Sequence, residues 1–358
     1  MSLNALEALQ KSGVVIASDT GEYLKIGEFF PQDATTNPSL VFAAVSKPEY
    51  AHLVEDAVEY AISRRSTIEG QTELACDRLL VQVGIQILKI IPGRVSVSVD
   101  PRLADNYDAI VAKGRNLISI FEEQGYPRNR VLIKIPATYA GILAARTLET
   151  SEKPIHTNAT LIFGLVQALA CAQAGIAVLS PFIGRVKDWW AAREAKRDNG
   201  DGAAQAQPEQ SLSHHPGIRL VRDIRAAYAS YGHTTTIMAA GFRTVEEIVE
   251  LGKNGSRGGP DLVTLPPELL DGLRRRPGTI NLNPSVPNDA AAVEPRYIGF
   301  DEETSAVAKA NFLEDLEKER IAVDKVPEGL AKFSVDAKAL EDLLRGKIKS
   351  SAEASARL

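Results

Sequence analysis

Eight short β-branched runs alternate with amphipathic stretches of helical period over roughly 260 residues, which predicts an α/β fold of the (β/α)8 TIM-barrel class with additional C-terminal helices. Two further observations support it. No GxGxxG or Walker-type loop follows the first strand, which tells against an open doubly wound sheet. Polar and charged residues also fall at the C-terminal ends of the runs, where a barrel displays its chemistry.

The strands are VVIAS from Val14, ATTNPS from Ala34, RVSVSVD from Arg94, VLIKIP from Val131, HTNATLI from His156, AVLSPFI from Ala177, TTTIMAAGF from Thr234 and DLVTLP from Asp261. Between them, Glu49 to Arg65, Ala104 to Gln124, Gly141 to Glu149, Leu161 to Ala174, Pro216 to Tyr231 and Val245 to Leu251 place apolar residues at helical spacing and end near Gly or Pro. Arg193 to Gly217 breaks the rhythm. It is polar, with Gly, Gln and Pro scattered through it, and reads as a long mobile loop after the sixth strand. His214 and His215 lie in it without a third ligand nearby in sequence, so no metal role is expected. Residues 1–277 are thus expected to form the barrel. Residues 278–358 comprise a Pro- and Asn-rich linker, Gly278 to Arg296, and helices within Asp301 to Lys349. That tail is too short for an independent domain and is expected to pack on the barrel rim, over the catalytic face or a neighbouring subunit.

The chain has 358 residues, 44% hydrophobic and 24% charged, and a formal charge of -5, the profile of an ordinary globular protein. Nothing electrostatic points to nucleic acid, because the densest basic run is only Arg274 to Arg276. Cys76 and Cys171 sit in apolar helical contexts without a CxxC, so neither a disulfide scaffold nor a zinc site is expected and a reducing compartment fits. The N-terminal MSLNALEALQKSG has no signal pattern, which makes cytoplasmic the expected location. His156 to Gly184 lacks Asp, Glu, Lys and Arg and has the length of a membrane span. Asn158, Thr160, Gln167, Gln173 and Gly175 interrupt it, and its pattern reads strand, helix, strand.

Lys134 is the most informative residue. Val131, Ile133 and Ile135 alternate with Leu132, Lys134 and Pro136, so a strand buried on both faces would hold the ammonium away from water. Desolvation lowers an amine's pKa and makes it a nucleophile near neutral pH. Snorkelling from a strand end, or pairing with a buried carboxylate, would explain the same position. The other strand ends carry Asp19, Asn37, Ser98 with Asp100, Asn158 with Thr160, Ser180 with the following Arg185, and Arg243. One amine, a carboxylate, hydroxyls, amides and two guanidiniums on one mouth suit carbonyl chemistry on a phosphorylated, hydroxylated substrate. The amine would form an imine, Asp19 would take a hydroxyl proton, and Arg185 and Arg243 would clamp a phosphate. Singly, Asn37 before Pro38 could be a turn residue, Arg185 could pair with Asp188, and Asp19 before Thr20 and Gly21 could be a cap.

ASDTGEY at Ala17, PQDATTNPSL at Pro31, IPGRVS at Ile91, VLIKIPAT at Val131, SPFIGRVKDW at Ser180 and AAGFR at Ala239 closely resemble the signature segments of class I transaldolases. The resemblance covers nearly the whole chain, including LAKFSVDAKALEDLL at Leu330. It implies a (β/α)8 barrel, often a homodimer, that moves a dihydroxyacetone unit between sugar phosphates without metal or organic cofactor, as in the pentose phosphate pathway. It further implies Lys134 as the imine-forming lysine and Asp19 as an acid/base. Asn37, Asn158, Thr160, Ser180 and Phe182 become substrate or water contacts, and Arg185 and Arg243 phosphate ligands.

Three positions depart from the family pattern. Ser98 in RVSVSVD stands where a glutamate is usual, Gly241 where a serine precedes FR, and Ala140 in TYAG where TWEG is usual. A serine can hold a water but cannot exchange a proton readily near pH 7. Losing a positioned acid/base costs about 10² to 10⁴ in rate. The alternatives to a sedoheptulose 7-phosphate/glyceraldehyde 3-phosphate transaldolase are a diverged Schiff-base aldolase of specialised metabolism and a non-catalytic sugar-phosphate-binding paralogue.

Overall fold

Eight strands pair in parallel, each with its sequence neighbours, and the last closes on the first. They are β1 (Val15–Asp19), β2 (Asp33–Thr35), β3 (Val95–Ser98), β4 (Val131–Pro136), β5 (Thr157–Ile162), β6 (Val178–Pro181), β7 (Thr236–Ala239) and β8 (Leu262–Leu265). This closed barrel is the architecture the alternating pattern predicts. The computed structural model describes residues 3–198, 212–278, 280, 293–299 and 301–355.

The helices are α1 (Ala5–Lys11), α2 (Tyr23–Ile26), α3 (Pro38–Val45), α4 (Ala51–Ile62), α5 (Ile68–Leu88), α6 (Tyr107–Glu123), α7 (Tyr139–Glu149), α8 (Leu165–Gln173), α9 (Ile183–Asp198), α10 (Pro216–Tyr231), α11 (Val245–Gly252), α12 (Gly255–Gly258), α13 (Pro267–Arg275), α14 (Glu302–Lys318) and α15 (Arg320–Ser355). Many begin on a capping side chain. Thr138 caps α7 and Thr244 caps α11, each accepting a backbone N–H three residues on.

Several expected boundaries need correction. The run ATTNPS is split: Asn37 accepts from the Leu40 N–H at 3.0 Å and Pro38 takes the first helical position, so the chain turns into α3 after Thr35. The mobile loop expected over 193–217 is helical at both ends, because α9 runs to Asp198 and a 3-10 turn, Leu212–His214, leads into α10. Residues 199–211, the middle of that loop, lie outside the described residues, as do 281–292 of the expected linker. The long helix α5 was not anticipated. Its buried residues, from Thr72 through Leu88, spread around most of its circumference because α4, α15 and β3 pack on different sides of it, which blurs the one-sided period.

The final helix returns across the barrel. Helix α15 packs on α3, α4 and α5 and on the turn after β3. Asp336 accepts a short hydrogen bond from Ser39, and Glu341 pairs with Arg102 at 2.7 Å. Its earlier turns place Val326, Leu330 and Phe333 against a cluster that includes Leu161, Phe163 and Phe182 at the ends of β5 and β6. Among the described residues, no helix is long and apolar enough to cross a membrane.

Candidate active site

Side chains inside the barrel change character along the strands. Leu132, Val178, Met238 and Leu262 form a separate buried cluster at the lower end. Two residues further along, the same inward faces of β4, β6 and β8 carry Lys134, Ser180 and Thr264. An apolar floor therefore lies under a polar layer.

That layer is hydrogen-bonded into a scaffold. The Asn158 amide donates to Ser96 Oγ at 3.1 Å, and its oxygen accepts from Ser180 Oγ at 2.8 Å. On the other side, Thr35 Oγ1 donates to Asp19 at 2.6 Å and lies 2.6 Å from Thr264 Oγ1. These bonds hold Asn158 and Asp19 in fixed rotamers, and all but Asp19 are buried.

Lys134 belongs to the same layer, in register with Ser98 on β3 and Asn158 on β5. It is 5% exposed, and its Nζ donates a long 3.4 Å hydrogen bond to the Thr36 carbonyl. Burial pulls its pKa below the ordinary lysine value, while the Asp19 charge partly restores it. Neither snorkelling nor a direct ion pair describes this lysine. Thr160, one step above Asn158 on the inward face of β5, has a buried hydroxyl with no partner. Such an orphan at a site mouth is satisfied by water or substrate. Ser98 is buried, and it also borders a cavity lined chiefly by α5, the turn after β3 and α15, with Glu73, Asp77, Arg102 and Glu341 among the lining residues.

The two arginines differ from each other. Arg185, on α9, is not paired with Asp188: its guanidinium lies 5.4 Å from the Phe182 ring centroid and 5.5 Å from that of Phe333, and its Nη1 is buried without a partner. Burial lowers its pKa; the Glu328 charge partly offsets this, and the nearby positive charge of Arg243 lowers it further. Arg243 takes Asp188 instead, at 2.7 Å and in an exposed setting. Asn37 spends its side-chain oxygen on the α3 cap, which leaves its amide nitrogen for a ligand. Gly241 has φ +69 and a Cβ there would sit 3.1 Å from Phe182, so the glycine occupies a conformation that L side chains rarely adopt. Ala140 borders an apolar groove with Leu143, Phe312 and Leu316.

Three contributors escaped the sequence reading. Thr35 braces Asp19, and its signal was only the TT pair before Asn37. Phe333 comes from the C-terminal helix and has no local signal. Glu247 is fully buried and joins His215, Lys187 and the Arg243 backbone. His215 itself accepts from the Gly217 and Ile218 N–H groups and so caps α10. No group of three or more potential metal ligands occurs among the described residues.

The family model for transaldolase/fructose-6-phosphate aldolase matches residues 16–344. The chain is 40% identical to a transaldolase of Saccharomyces cerevisiae over 96% of each chain, and 40% identical to one of Schizosaccharomyces pombe over 97% of this chain and all of that one. It is 36% identical to a bacterial transaldolase, from Shewanella sp. MR-7, over 96% of this chain and 99% of the relative. With a family model spanning most of the barrel and the C-terminal helices, and relatives aligned end to end, the chain belongs to the transaldolase/fructose-6-phosphate aldolase family.

Proposed function

We propose that the protein is a transaldolase that transfers a dihydroxyacetone unit between sugar phosphates through an imine on Lys134. The observation that carries the reading is the lysine itself: an amine enclosed in β4, with its pKa lowered by burial and a single long hydrogen bond. Its Nζ attacks the ketose carbonyl and water leaves, giving an iminium that draws electrons from the adjacent carbon–carbon bond. Asp19 accepts the proton of the hydroxyl that becomes the departing aldehyde. The enamine left on Lys134 then attacks the acceptor aldehyde, which takes a proton back, and water releases the product ketose.

The remaining residues orient this exchange. Asn37 and Asn158 address hydroxyls, while Thr160, Ser98 and Ser180 hold water or substrate, and Phe182 forms a wall. Arg185 and Arg243 hold the phosphate. The unsatisfied Arg185 Nη1 supports an anion there, and the exposed Asp188 pair of Arg243 is weak enough for a phosphate to replace. The two unpaired thiols, Cys76 and Cys171, support a reducing, cytoplasmic setting. The homodimer rests on family resemblance, and sedimentation equilibrium tests it.

Borohydride treatment with fructose 6-phosphate, followed by mass spectrometry, should fix a reduced adduct on Lys134. Absence of the adduct with every ketose phosphate and reactive aldehyde tried would sink the reading and leave a non-catalytic binding barrel. Ser98 favours a second reading, a Schiff-base aldolase with another carbonyl substrate, because no carboxylate occupies that register beside Lys134. Higher turnover with a non-sugar aldehyde than with glyceraldehyde 3-phosphate would select it.

A further inference from the structure

Glu247 is a carboxylate with no exposed surface, placed behind the mouth rather than in it. Its Oε2 accepts the Arg243 backbone N–H at 2.7 Å. Its Oε1 accepts from Lys187 Nζ at 3.1 Å and from His215 Nε2 at 3.2 Å, while Thr244 caps its own N–H. Burial would raise the carboxyl's pKa, but hydrogen bonds from His215, the Arg243 backbone and Lys187 outweigh that and hold it at about 2. The charged acceptor is therefore permanent. Taking that charge out of water is costly, and its partners' hydrogen bonds offset the cost.

What it fixes is the spacing of two segments. Arg243 follows β7, and Lys187 lies on α9, two residues beyond Arg185. The Gly184 N–H also bonds the Gly241 carbonyl at 3.1 Å, so α9 and the β7–α11 loop meet where the arginines depart. The Arg243 side chain pairs with Asp188 at the surface, while its backbone cannot move without breaking the Glu247 bond. We propose that Glu247 is a positioning residue for the phosphate site, acting through the Arg243 backbone and through Lys187 to hold the two guanidiniums at one separation. This rests on the reading of Arg185 and Arg243 as phosphate ligands.

The test compares ketones with and without phosphate. For the full chain, the concentration giving half-maximal borohydride trapping on Lys134 is measured for fructose 6-phosphate and for dihydroxyacetone. In Glu247→Gln, which keeps shape and removes charge, the value for fructose 6-phosphate should rise about tenfold and that for dihydroxyacetone should stay within about twofold. Lys187→Met removes one bond from a half-exposed position and should shift fructose 6-phosphate in the same direction by less; it serves as the test if Glu247→Gln does not fold. Arg243→Ala tests the underlying reading: if it leaves fructose 6-phosphate unaffected, the phosphate site itself is wrong. If Arg243→Ala weakens fructose 6-phosphate but neither Glu247→Gln nor Lys187→Met does, the positioning role is overturned alone. Equal losses for both ketones in the Glu247 variant would also overturn it, because that is what a purely structural carboxylate produces.

Discussion

Lys134 is enclosed with one backbone carbonyl in reach and with the Asp19 charge nearby but not in contact. Its folded pKa lies below the unfolded value, so the unfolded chain binds the proton more tightly and stability rises with pH up to about 10.5. At neutral pH the lysine therefore weakens the fold. Lys134→Met should be more stable by about 1–3 kcal/mol in urea titration while trapping no ketose. Ser98 makes the complementary prediction. If a proton carrier is what the site lacks, Ser98→Glu, in register with Lys134, should raise turnover of sedoheptulose 7-phosphate with an aldose acceptor by about tenfold or more. An unchanged or lower rate would mean that the site has been rebuilt around the serine. Lys134 was legible in sequence because strand alternation alone exposes a charge among aliphatic residues. Glu247 was not, since its meaning depends on partners from α9, the α10 cap and the β7–α11 loop, which nothing local relates.

The most consequential element is α15. It reaches the mouth three times, through Phe333 near Arg185, Asp336 on Ser39 and Glu341 on Arg102. Phe333→Ala removes one of two rings beside a partly desolvated guanidinium, worth about 1 kcal/mol. Steady-state kinetics should show KM for the ketose phosphate rising roughly fivefold with kcat little changed. A matched fall in kcat would instead show that the helix shapes the reacting end. The helical character of this segment was readable from its apolar positions. Its path was not, because a helix that contributes to a site by crossing it carries no strand-end signature. The same limit hid α5, whose neighbours on several sides leave no polar stripe to read.

At the scale of the whole molecule the eight-strand rhythm was legible because both faces of each strand in a parallel barrel are buried and leave dense β-branched runs. Acid stability is a property of this scale, and the contribution of Glu247 to it has a definite sign. Its folded pKa of about 2 lies below the ordinary glutamate value of 4.5, so its contribution is complete above 4.5 and is lost as pH falls toward 2. Asp33 and Asp77, whose pKa values burial raises, oppose this slope. The difference between wild type and Glu247→Gln isolates it: the stability gap between them should narrow as pH drops from 4.5 to 2 in chemical denaturation. A constant gap would show that the carboxylate is not held charged.

The floor formed by Leu132, Val178, Met238 and Leu262 has a kinetic reading. Among the described residues it closes the lower end of the barrel. On the imine mechanism proposed above, both aldoses would then use the mouth, and the first would leave before the second approaches the enamine, a two-stroke exchange. Initial velocities against donor at several acceptor concentrations should fall on parallel double-reciprocal lines, and converging lines would require room for both aldoses at once.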